Sequence, residues 1–216
     1  MTTDQFINEV DEELKHERHM ALWHIYGRYA VAGVLLIVIG VASVVGWRHY
    51  QENRRAEAGI AFVSAVESAS AGKSAESLKA FKALAEDGPT GFAELARLQE
   101  AAELTRQGNE AGAAQVYDAM AKDSSVAEPF RNLALLLYGL AVLDRADPLA
   151  LEQRLKPLTA VASPWRYSAL ELTALIARKR GDSKAAQKIF KRLADDATTP
   201  PSIRARAAEF LAVSGK

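Results

Sequence analysis

The chain has 216 residues, 27 basic and 27 acidic, and no cysteine. Zero net charge gives no overall field for nucleic acid, and the lack of cysteine excludes disulfides, thiolate zinc sites, a cysteine nucleophile and a lipoprotein anchor. With 49% hydrophobic and only 7% aromatic residues, and 41 alanines, the composition predicts a folded all-α chain.

Residues 1–28 form an acidic tail with six carboxylates against three cations, net −3. Thr2 and Gln5 have the spacing of a capping box. Phe6, Ile7, Val10 and Leu14 then make a narrow apolar stripe, so a short amphipathic helix is expected. Two readings stand: a helix that docks on a partner protein, or a solvated helix with no dedicated ligand. His16, Glu17 and His19 miss the zinc-protease spacing, which needs histidine where the chain has Met20. No metal or cofactor is expected.

From Tyr29 to Trp47 there are 19 residues without a charge. As a helix they extend about 28 Å, the thickness of a bilayer core. Tyr29 and Trp47 suit the two headgroup layers, and Arg28 and Arg48 can extend outward beside them. Residues 29–47 are therefore read as a retained transmembrane anchor. Gly33 and Gly40, seven apart, share a face on which another span could pack. Lys15, Arg18 and Arg28 precede the span, and Arg48, Arg54 and Arg55 follow it. Three cations on each side leave the topology open.

Residues 48–216 read as helical repeats. Little breaks a helix between Trp47 and Ala71 except Gly59, so the first repeat helix is expected to run on from the span as a stiff stalk. Gly59 is a close-packing position or a hinge. Gly72, Gly108 and Gly181 are each followed nine places on by Phe81, Tyr117 and Phe190, and twelve on by Leu84, Met120 and Leu193. Ala146 takes the glycine place once, ahead of Leu155 and Leu158. The four points are 36, 38 and 35 residues apart. Ser77, Ala113 and Ala186 stand five places on, whereas Leu151 departs from that pattern. A glycine can end one helix, and Asn109 and Asp182 suit the start of the next. First helices are expected near 51–70, 90–107, 127–145 and 164–180. Second helices are expected near 74–86, 110–122, 148–161 and 183–195. A capping helix follows near 202–213, and Pro157 should end or kink its helix.

No phosphate loop, dinucleotide fingerprint or nucleophile elbow is present. Beyond the tail the sole histidine is His49, so an enzyme is not expected, nor a small-molecule substrate. A stacked repeat instead offers a groove for a protein or peptide. Charge is uneven: residues 48–153 carry net −5 and 154–216 net +8. Arg178, Lys179, Arg180, Lys184, Lys188, Lys191 and Arg192 crowd together. They read as a docking face for an acidic partner or lipid headgroups, or as a solvated rim.

The stretches from Arg106 through Gly108 and Ala113 to Tyr117, and from Lys179 through Gly181 and Ala186 to Phe190, resemble the tetratricopeptide repeat. The whole layout resembles the YfgM-like ancillary subunits of the SecYEG translocon. The resemblance rests on the acidic tail, the span ending Gly46-Trp47-Arg48, the segment Thr90-Gly91-Phe92-Ala93-Glu94-Leu95-Ala96, and the link from Asp195 to Pro201. It implies a single-pass protein of the bacterial inner membrane, with its N-terminus cytoplasmic and its repeats periplasmic. Implied partners are translocon subunits and a membrane-anchored periplasmic chaperone or isomerase. Other readings are a cytoplasm-facing adaptor and a structural subunit of an envelope assembly machine.

Overall fold

Three of the repeat junctions share one turn geometry. Gly72, Gly108 and Gly181 adopt φ of 76°, 77° and 85°, in the left-handed region. The next residues, Lys73, Asn109 and Asp182, all lie near φ −85° and ψ 65°. The Asn109 amide donates to the Leu104 carbonyl at 2.8 Å, and the Gly108 amide to Thr105 at 3.0 Å. Around Gly181 the Asp182 amide donates to Ala177 and the Gly181 amide to Arg178, both at 2.9 Å. This paired bonding satisfies the last carbonyls of one helix while reversing the chain. The next helix starts at once: the Gly112 amide donates to Asn109 Oδ1, and the Ala185 amide to Asp182 Oδ1, each at 2.9 Å.

The computed structural model describes residues 3–214, with side chains described for 29 and 31–213. Among these residues are nine α-helices and no strand: α1 Thr3–Ser70, α2 Ser74–Asp87, α3 Phe92–Arg106, α4 Glu110–Lys122, α5 Glu128–Val142, α6 Pro148–Leu155, α7 Arg166–Lys179, α8 Ser183–Asp195 and α9 Pro201–Ser214. The chain divides between Ala56 and Glu57 into two compact units. The expected second helix near 148–161 is shorter than its counterparts. Its α-helical part stops at Leu155, and Lys156–Thr159 tighten into a 3-10 turn around Pro157, whose ring cannot continue the helix.

In the first unit, the run from Val31 to Trp47 lies on one helix long and apolar enough to cross a membrane. Val34, Leu36, Ile37 and Ile39 are all more than half exposed, so none of the described residues of the chain covers this stretch. The Phe6–Leu14 stripe and the His16 and His19 side chains lie outside the described side chains.

In the second unit the core is serial. Ala65, Phe81 and Ala96 join the end of α1 to α2 and α3. Ala101, Leu104, Ala113 and Tyr117 join α3 to α4. Leu136, Leu155, Leu172 and Ile176 join α5, α6 and α7. Ala177, Ala186, Phe190, Ile203 and Ala207 join α7, α8 and α9. The repeat spacing explains this order. Ser77, Ala113 and Ala186 are buried where paired helices touch, and Phe81, Tyr117 and Phe190 are buried one turn later. Gly59 packs closely in this unit: a Cβ there would stand 3.4 Å from the Phe92 ring.

The starts of the first helices use other devices. At α3, Gly91 takes φ 95° and its amide donates to the Glu94 carboxylate, which is buried. The second helices α4 and α8 end alike, on Asp123 and Asp196 near φ −79° and ψ 110°. The Ser125 hydroxyl, then Arg97 at 2.9 Å, hold the Asp123 carboxyl down to about 2. Thr198 lowers Asp196 in the same way. At the fourth junction Ala146 has no left-handed conformation. The turn is instead lengthened, with the Ala146 amide donating to Val142 at 2.8 Å and Asp147 capping the Ala150 amide at 2.7 Å.

Gly181→Ala places a side chain on a left-handed backbone, so it should lower the unfolding free energy by about 1–2 kcal/mol. Gly33→Ala, where an added Cβ meets nothing within 4 Å, should leave the urea midpoint of the repeat unit unchanged. Circular dichroism during urea unfolding of the detergent-solubilised chain checks both.

Candidate functional site

The first helices of the last repeats turn one face into a common cleft. It has a volume of about 910 Å³ and is walled by α5, α7 and α9. Leu136, Leu172 and Phe190, all buried, make its floor. Helix α5 carries Leu133, Leu135, Leu136, Leu137 and Leu140 within eight positions, more than one buried stripe can take. The surplus falls on the cleft wall, where Leu140 is 50% exposed. Gly139 lets this helix approach its neighbours, because a Cβ there would meet Leu172 at 2.8 Å and Leu155 at 3.3 Å.

Helix α9 is fixed as the opposite wall by aromatic and charged contacts. Phe210 stacks on Phe190, with ring centroids 4.1 Å apart. The Arg178 guanidinium lies over the Phe210 ring, 5.1 Å from its centroid. Arg206 donates two hydrogen bonds to the Glu171 carboxylate, both of 2.7 Å, and this partner raises the Arg206 pKa. An apolar floor with a few placed charges at the rim is suited to holding a partner's apolar side chains. Among the described residues no group of three or more His, Asp or Glu side chains could hold a metal ion.

The seven cations singled out in the sequence do not act as one group. Arg178 belongs to the cleft. Lys179 reaches back to the preceding repeat, donating to the Leu143 carbonyl at 2.8 Å and to Asp144 at 3.1 Å. It thereby satisfies the end of α5, the first helix that no left-handed glycine follows. Arg180 pairs with Glu152 at 2.8 Å and Asp182 at 3.3 Å. Lys184, Lys188, Lys191 and Arg192 remain exposed on α8. Similar staples join earlier repeats: Arg145 lies 3.5 Å from Glu110, and Gln107 donates to the Ser74 carbonyl at 3.4 Å.

At the proposed anchor, Tyr29 and Trp47 are about 60% exposed and Arg48 is exposed. Tyr50 joins Trp47, with centroids 5.9 Å apart, enlarging the aromatic group at that end. Gly33 and Gly40 leave open space where a side chain would stand. The Arg28 side chain lies outside the described ones.

A family model for a tetratricopeptide repeat-like domain matches residues 21–199, from before the apolar run to the link into α9. The chain belongs to this family. Tetratricopeptide repeat-like domains are helical-pair arrays that generally bind proteins. No curated protein and no solved structure matches the chain.

Leu140, Leu175, Glu171, Arg206 and Phe210 were not marked by the repeat spacing. They lie on the first helices and the capping helix, whereas the glycine-based period reads the second helices. The leucine excess of α5 was the available signal. Phe210→Ala removes the stack that holds α9, so amide exchange throughout α9 should speed about tenfold while α2–α4 stay protected. Unchanged α9 protection would contradict the packing described.

Proposed function

We propose that this chain is a membrane-anchored, non-enzymatic scaffold that captures a protein partner in the cleft between α5, α7 and α9. Residues 1–28 are the tail, 29–47 the transmembrane anchor and 48–216 the repeat domain. The observation that carries the reading is the cleft itself: an apolar floor, a half-exposed Leu140 and a fixed third wall, on a domain of a protein-binding family. The bare apolar helix around Val34–Ile39 supports the anchor.

The finer assignment rests on the resemblance to YfgM-like ancillary translocon subunits. On that reading the N-terminus is cytoplasmic and the repeats are periplasmic in a bacterial inner membrane. The protein sits beside the translocon and passes emerging polypeptides to a membrane-anchored chaperone or isomerase. The motif segments named in the sequence have physical roles that suit this reading. Thr90–Ala96 starts α3 through Gly91 and Glu94, and Asp195–Pro201 carries the Asp196–Thr198 turn that leads into α9.

Crosslinking the full chain in its native membrane and identifying its adducts tests the assignment. Translocon subunits and a periplasmic chaperone are expected, and Leu140→Asp should reduce their recovery several-fold while the protein still sediments with membranes. Recovery of neither class would overturn the assignment. A C-terminal reporter active only in the cytosol would overturn the periplasmic topology.

A further inference from the structure

Two sets of cations stand apart in the last third of the chain. Arg154, Lys179, Arg180 and Arg206 each hold a carboxylate from another helix or turn: Asp118, Asp144, Glu152 and Glu171. These pairs staple the repeats. The cations on α8 do not. Lys184 and Lys188 have no carboxylate within ion-pairing distance among the described residues, and Arg192 has none either. Lys191 pairs only along its own helix, with Asp195 at 3.3 Å, and both groups are largely exposed. The acids near α8 sit at its ends and are already engaged. Asp182 caps the Ala185 amide and bonds Arg180. Asp196 accepts from Thr198 in its turn.

The spacing 184, 188, 191 places three lysines along one helix face. Ala186, Phe190 and Leu193 are buried on the other. The exposed positions of α8 are otherwise Ser183, Gln187, Arg192 and Asp195. No exposed apolar or aromatic side chain stands on the helix. This composition is a poor protein interface, because such interfaces centre on desolvated aromatic and aliphatic anchors and are depleted in lysine. Exposed ammonium groups on long side chains, none paired with a carboxylate of another helix, suit a diffuse layer of phosphate charge.

We propose that the outer face of α8, carrying Lys184, Lys188, Lys191 and Arg192, docks on the anionic phospholipid headgroups of the membrane that α1 enters. The contact is electrostatic and superficial, since α8 has no free apolar side chain to insert. Tethering by the anchor raises the local concentration of headgroups, so weak individual contacts suffice. The proposal rests on the reading of α1 as a membrane span, and it leaves the cleft open for a protein.

The natural lack of cysteine makes the test direct. The full chain carrying Gln187→Cys is reconstituted into vesicles of phosphatidylcholine alone, or with about one-third phosphatidylglycerol, and labelled with an uncharged maleimide. Labelling should be about fivefold slower in the anionic vesicles, and about 0.5 M salt should restore it. Adding Lys184→Gln, Lys188→Gln and Lys191→Gln should abolish the difference. Gln115→Cys, exposed on α4, should label equally in both. Equal rates at position 187, or equal slowing at 115 and 187, overturn the docking. Failure to float with either vesicle type overturns the anchoring reading instead, and the proposal with it.

Discussion

The repeat unit depends on one local constraint: a helix must stop and reverse within two residues without leaving its last carbonyls unsatisfied. Gly72, Gly108 and Gly181 meet it by entering the left-handed region, which costs a side-chain-bearing residue about 1–2 kcal/mol. The reversal sets each helix against its predecessor at fixed register. Small side chains at Ser77, Ala113 and Ala186 then fall where the two helices approach most closely. One pair made in this way still exposes an apolar face, and the next pair covers it.

From this follows the division of labour between helices. Second helices bury the ring or aliphatic residue of each repeat and show charge outside, most clearly in α8. The first helices α5 and α7, with the capping helix α9, leave a face towards the cleft. The cleft is widest in apolar character where α5 has more leucines than its core contacts require. Helix α9 takes the position of a further first helix, and closes the array with Phe210 against Phe190. The ion pairs between repeats are individually modest, because most are half-exposed. Their placement matters more: some join the end of one first helix to the preceding repeat, as Lys179 does at Asp144 and Arg145 at Glu110.

Much of this architecture was legible from residues alone, because glycine spacing reports a backbone requirement that few side chains satisfy. The helix limits around Gly108 and Gly181 follow from that requirement, as do the caps at Asn109 and Asp182. The Ala146 junction was legible only as a departure. Alanine does not take the left-handed turn readily, so the chain needs a longer one and borrows Lys179 as a cap from thirty-odd residues on. The basic cluster was misleading in one respect. Residues adjacent in sequence at the end of α7 point to three different neighbours, and sequence proximity carries no information about direction across a helix end. The cleft was the least legible part, since its residues come from three helices whose facing depends on tertiary packing.

The account joins an uncovered apolar helix, a repeat domain and an inward cleft into one scaffold. Its central claim is that partners enter the cleft and not the outer face of the second helices. Site-specific photocrosslinking in the native membrane separates the two directly, with the photoreactive residue placed at Leu140 or at Gln115. The account predicts a discrete protein adduct from position 140 and none from position 115. The same adduct from 115 alone, or equally from both, would contradict it.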